Sequence, residues 1–249
     1  MKNHPADALM IDDLSSIPGE LRVRLAELSP LFLSNRFVEN LLSSPELESL
    51  AGKLEEYLQG HWIRGYHCTK EPSDGYFCAQ GLRLTDAARH QAEFVVKFGG
   101  LFTDSELAEM RAAWHKYFVK ERQGVLRNGQ LWACLTRNLI LDDCGVEYFF
   151  SLYGGEAISM PFDNHPSITP KLASIGKPVV VEVAVPGNAL RACHPMSTTI
   201  LSRYHQTVRE DAHLFEAEAM WRTPVAPEHV LSVTPLDSFL AQGLGAAGR

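Results

Sequence analysis

Three groups of side chains in this 249-residue sequence are of types that could hold a polar ligand and stabilise charge as it develops: His67 with Thr69, the aromatic Tyr148, and Glu216 with Glu218. Alternation along a strand puts residues i and i+2 on one face, so His67 and Thr69 would look the same way, as would the two glutamates. An imidazole and a hydroxyl offer hydrogen bonds, and a flat ring excludes water and fixes a planar group. A carboxylate stabilises a cation forming beside it. Taken singly, each group also has an ordinary structural reading. A lone strand histidine is commonly a satisfied core residue, Tyr148 could be core material, and Glu216 and Glu218 could line a solvated strand face.

Several common chemistries are absent. No G-x-G-x-x-G or G-x-x-x-x-G-K-[ST] cradle for phosphates occurs, and neither G-x-S-x-G nor H-E-x-x-H is present. The cysteines are five in number, with no C-x-x-C, which argues against a disulfide framework and for reduced thiols. Cys193-His194 and His67-Cys68 are adjacent pairs without the ligand spacing of structural zinc, so no metal is expected. Twenty-three basic against 30 acidic residues give a net charge of −7, which opposes general attraction to nucleic acid or anionic lipid. The stretch from Val183 to Arg209, with Arg191, Arg203 and Arg209, contains no acid and leaves room for a local anion site. No apolar run approaches a membrane span, and the first residues lack a secretory signal pattern. The expectation is a protein with no membrane partner, cytoplasmic or delivered into a target cell without a signal peptide.

The elements that must position these groups fall into two styles. Residues 1–60 read as a helical prelude packed on a core at 61–249. In the prelude, Ser44 is the expected N-cap of a helix with Pro45 at its first position, and Leu47, Leu50, Leu54 and Leu58 form one apolar stripe ending at Gly60. Weaker helical periodicity occupies Leu21 to Leu28 and Phe37 to Leu42. In the core, Thr103 and Glu106 form a capping box ahead of Leu107, Met110, Trp114, Tyr117 and Phe118, a helix expected to stop at Gly124. Strands are expected over Leu131–Leu141, Val146–Ser151, Pro178–Val185, Leu214–Trp221 and His229–Val233. The fold class is therefore α+β.

His67-Cys68-Thr69, then a helical segment, then Gly81-Leu82 fourteen residues after His67, resembles the first motif of the ADP-ribosyltransferase superfamily. It looks most like the H-Y-E branch, which includes diphtheria-toxin-like toxins and poly(ADP-ribose) polymerases. Two later segments resemble that branch in order: Glu147-Tyr148-Phe149-Phe150-Ser151 followed by Gly154-Gly155-Glu156-Ala157, and Phe215-Glu216-Ala217-Glu218-Ala219-Met220 followed by the turn at Pro224 to Pro227. Together the three segments cover about a fifth of the chain.

The resemblance implies a split β-sheet core, NAD as substrate, and transfer of ADP-ribose to a macromolecular acceptor, protein or nucleic acid, with release of nicotinamide. It implies that Glu218 is the catalytic carboxylate on the nicotinamide ribose, and that Glu216 orients or deprotonates the nucleophile. His67 and Thr69 would hold the ligand by hydrogen bonds, and the backbone of Cys68 would pair with the carboxamide, the thiol pointing away. Gly81 would close the motif, Tyr148 would stack on the nicotinamide ring with the more exposed Tyr153 as its rival or a second stacking tyrosine, and Arg83 or arginines from the loops would meet the pyrophosphate. The E-x-E of Glu216 and Glu218 resembles arginine-modifying relatives, whereas His67 belongs to the other branch, which leaves the acceptor unassigned. The alternatives are a noncatalytic nucleotide- or protein-binding module on the same fold and an NAD glycohydrolase.

Overall fold

The computed structural model of the chain describes residues 4–141 and 146–246, so Cys144 lies outside the described residues. Helices and a mainly antiparallel sheet make up an α+β fold. The strands are β1 (Trp62–Glu71), β2 (Leu131–Cys134), β3 (Lys177–Pro186), β4 (Arg191–Ala192), β5 (Glu218–Trp221) and β6 (Val230–Pro235), in the order β4-β5-β2-β1-β3-β6. β3 forms where expected, because its run of valines is buried along nearly its whole length and a continuous apolar run suits a strand covered on both faces. Among the described residues no helix is long and apolar enough to cross a membrane.

The chain groups into two compact units. The first comprises Met1–Tyr66, Trp132–Asp142 and Glu182–Trp221. Its core is the leucine stripe of the Pro45–Gln59 helix: Leu47, Leu50, Leu54 and Leu58 are buried together with Leu21, Leu25, Phe32, Ile200 and Leu201. Each leucine so buried contributes about 2 kcal/mol. Ser44 does precede this helix, but its hydroxyl donates to the Glu46 carboxylate at 2.7 Å instead of capping a backbone amide. The Met196–Val208 helix completes the core and carries His205, whose side chain is fully buried against Phe32. Neither ring nitrogen of His205 has a hydrogen-bond partner among the described residues. Desolvated polar atoms without partners cost stability. His205→Leu is therefore expected to raise the unfolding free energy by about 1 kcal/mol, read as a higher urea midpoint at unchanged slope.

The second unit comprises His67–Leu131, Asp143–Val181 and Arg222–Arg249. Its core is aromatic: Phe94, Phe102, Trp114, Phe118 and Phe162 pack with Ile168 and Leu172, and the Trp114 indole donates to the carbonyl of Ile158 at 2.9 Å. The expected capping box is present. Thr103 Oγ1 accepts from the Glu106 amide at 3.2 Å, and the Thr103 amide donates to the Glu106 carboxylate at 2.7 Å. The helix over Asp104–Trp114 then widens into a π-type stretch, His115–Lys120, and the chain reverses at Arg122 with φ 61. Gly124 is not its terminator and sits inside the next short helix, Gln123–Arg127.

The segment Val146–Ser151 is not a strand. Glu147–Ser151 is a helix, and Val146 and Phe150, four residues apart, are both buried. Aromatic residues favour strands only where a pleated surface receives them; here a helical face meets the core instead. The expected strand over Leu131–Leu141 is likewise shortened to β2, with a helical turn at Asn138–Leu141.

Two carboxylates in this unit predict its response to acid. Lys171 first, with the Thr103 amide, holds the Glu106 carboxyl down to about 2 from an ordinary 4.5. Arg83 and Arg89 do the same for Glu93, also to about 2. The unfolded chain takes up these protons first, so the stability they supply is complete above about pH 4.5 and lost as the pH falls toward 2. Melting temperature is expected to decline over that window, and Glu106→Gln should flatten the decline.

Candidate active site

β1 presents the first motif by simple alternation. His67 and Thr69 are half-buried on one face, whereas Cys68 and Lys70 are buried on the other, so the thiol does point away from the His67 face. Lys70 secures the end of this strand from behind: its ammonium donates to the carbonyls of Ala173 and, at 3.5 Å, Ser151, closing the C-terminal turns of two helices. After Glu71 the chain turns through Gly75 into a short helix, Tyr76–Gln80, whose Phe77 amide donates to the Glu71 carboxylate at 3.3 Å. Gly81 ends that helix with φ 68 and ψ −159, a conformation essentially reserved for glycine. A β-carbon there would overlap the carbonyl oxygen of Val225. The close approach is needed because Leu82 and Val225 exchange backbone hydrogen bonds at 2.9 and 2.8 Å.

Arg83 does not present a free cation. Its guanidinium forms two hydrogen bonds with the Glu93 carboxylate, at 3.0 and 2.6 Å, and Arg89 joins the same carboxylate at 2.9 Å. Any phosphate would have to compete with Glu93. Tyr153 lies in the same neighbourhood but is less exposed than its turn suggested. Its ring stacks on Phe94 at 6.1 Å and meets Phe98 edge-on at 5.0 Å. Burial, with a smaller contribution from Tyr76, raises its hydroxyl to about 12.

Tyr148 is carried by the Glu147–Ser151 helix, with its hydroxyl donating to Ser159 Oγ at 2.9 Å. Ser159 in turn donates to the carbonyl of Gly155 at 2.7 Å. Burial pushes the Tyr148 hydroxyl up to about 12. Both tyrosines therefore remain neutral hydrogen-bonding and stacking groups throughout the physiological range.

The two glutamates belong to the first unit. β4 and β5 pair antiparallel, with Arg191 opposite Met220 and Ala192 opposite Ala219. Ala217 and Ala219 are buried in the leucine core, so alternation turns Glu216 and Glu218 to the other face. Glu216 precedes the strand and is half-buried, its carboxylate accepting the Thr136 hydroxyl. Glu218 is exposed and open to an incoming group. One residue past β4, the Cys193 amide donates to the Glu218 carbonyl at 3.4 Å, and the Cys193 thiol donates to Glu218 Oε1 at 3.7 Å.

Cys193 also lines a cleft of about 480 Å³ in this unit, with Glu55, Gln59, Arg191 and His194 among the other walls. The Glu55 carboxylate accepts the Ser197 amide at 2.8 Å, at the start of the Met196–Val208 helix. Sequence reasoning missed both residues. The Cys193-His194 pair drew notice only for its poor metal spacing, and nothing local linked Glu55 to a helix 140 positions later. The acid-free run is also less open than its composition implies: Arg209 is paired with Asp211 at 2.6 Å, just outside the run, and donates to the carbonyl of Leu33. Among the described residues, no group of three His, Cys, Asp or Glu side chains is arranged to hold a metal ion.

Of the nine candidates, His67, Cys68, Thr69, Gly81, Arg83, Tyr148 and Tyr153 lie in the second unit, and Glu216 and Glu218 in the first. No protein-family model, curated protein or solved structure matches the chain.

Proposed function

We propose that this chain is a mono-ADP-ribosyltransferase that cleaves NAD and transfers ADP-ribose to a macromolecular acceptor. The observation that carries the reading is the first motif as a built object. His67 and Thr69 share the more open face of β1, and a one-turn helix follows before a left-handed Gly81 held against Val225. That strand, helix and glycine order is the one the sequence resemblance requires, and an exposed Glu218 supplies a carboxylate.

In the proposed reaction the bond between nicotinamide and C1′ of ribose breaks, and its electron pair leaves with nicotinamide. The cation left at C1′ is stabilised by Glu218 while the acceptor attacks, its proton passing to Glu216. His67 and Thr69 hold the ligand by hydrogen bonds, and Tyr148 or Tyr153 offers a ring to the nicotinamide. The test is release of free nicotinamide from NAD by the purified protein, together with transfer of labelled ADP-ribose into a cell lysate. Release without transfer would make the protein an NAD glycohydrolase. A rise in melting temperature with NAD and no release would make it a binding module on the same fold.

A further inference from the structure

We propose that Cys193 is a positioning residue for Glu218, its thiol fixing one carboxylate oxygen so that the other faces the substrate. This inference rests on the transferase reading for its consequence, but the pairing itself stands on geometry within one unit. The antiparallel register that sets Ala192 opposite Ala219 brings Cys193 opposite Glu218, where two hydrogen bonds, backbone at 3.4 Å and side chain at 3.7 Å, join the same two residues. The backbone bond sets the distance, and the side-chain bond sets the carboxylate's rotation. Alternation places Arg191 on the same face, and Arg191, His194 and Glu55 are the charged or titratable groups that share the adjoining cleft with Cys193.

A neutral thiol suits this role. An S–H donates, whereas a thiolate would repel the carboxylate and leave Glu218 free to turn. The surroundings favour the neutral form: partial desolvation raises the thiol of the exposed Cys193, and the Glu218 charge raises it further. Glu218 in the proposed reaction must remain ionised and aimed, and a weak donor orients a carboxylate without neutralising it.

Two measurements test this. The first is the rate of Cys193 alkylation by N-ethylmaleimide across pH, read by peptide mass with the exposed Cys78 as internal reference. Glu218→Gln removes the nearby charge, so the Cys193 titration should shift to lower pH, with alkylation at pH 8 faster by about threefold and Cys78 unchanged. An unshifted Cys193 overturns the pairing, whether or not the protein cleaves NAD. The second is nicotinamide release. Cys193→Ala should slow it several-fold, Cys193→Ser should restore most of the rate, and the wild-type rate should fall at alkaline pH as the thiol ionises, a fall absent from Cys193→Ser. Wild-type release from Cys193→Ala would overturn the positioning role. A shifted thiol in a wild-type protein that releases no nicotinamide would refute the transferase reading, and the catalytic role of Cys193 with it, while leaving the pair intact.

Discussion

Glu218→Gln is expected to reduce nicotinamide release from NAD by a hundredfold or more, roughly the loss produced by removing one charge-stabilising group from a transition state. The substitution keeps the shape and the hydrogen-bonding capacity of the side chain while deleting its charge. Because Glu218 is exposed and stands opposite the buried face that carries Ala217 and Ala219, the leucine core should not respond. Circular dichroism and melting temperature should match the wild type, and NAD should still stabilise the variant. Glu216→Gln is the informative companion. Its carboxylate is already engaged by the Thr136 hydroxyl, so it should lose transfer to an acceptor more than it loses cleavage of NAD. Equal nicotinamide release from wild type and Glu218→Gln would remove that carboxylate from the chemistry altogether.

The largest structural effect is expected at Gly81. With φ 68 and ψ −159, any side chain is strained, and a methyl group there collides with the backbone of Val225 and Ala226. Neither neighbour is a flexible side-chain end that could swing aside. Gly81→Ala should therefore cost at least about 3 kcal/mol, combining the backbone penalty with loss of the Leu82–Val225 pairing. Urea denaturation would read this directly, and hydrogen exchange at the Leu82 and Val225 amides should accelerate first. Gly100→Ala supplies the contrast, since nothing lies within 4 Å of a β-carbon at that position. A Gly81→Ala protein as stable as the wild type would mean that the 81–225 contact does not hold the motif.

How much could be read beforehand depended on how local the cause was. The Thr103–Glu106 capping box and the Leu47, Leu50, Leu54, Leu58 stripe were legible because each is written within a few turns of one helix. The valine run of β3 was legible because a strand buried on both faces favours β-branched apolar residues, Glu182 within it being paired with Arg64. The reading of Val146–Ser151 as a strand failed because six residues, three of them consecutive aromatics, contain no decisive period, and the core that received Val146 and Phe150 decided between helix and strand. The exposure of Tyr153 was misjudged for a related reason: the turn beside Gly154 is local, whereas Phe94 and Phe98, which cover its ring, come from a helix more than fifty residues earlier. Arg83 is held by Glu93, nearly two turns into that same helix, a pairing no local signal around Arg83 records.

Residue types and short-range spacing alone determined the α+β class, the main helix of each half, and the alternation that pairs His67 with Thr69. Only the tertiary structure decided which charges are already spent on internal partners, that Cys193 lies beside Glu218, and that Tyr148 rides on a helix. The physical reason is range. Capping, periodicity and backbone strain act within a few residues and leave a mark in the sequence. Ion pairing, ring packing and strand register are settled between segments that meet only once the chain has folded.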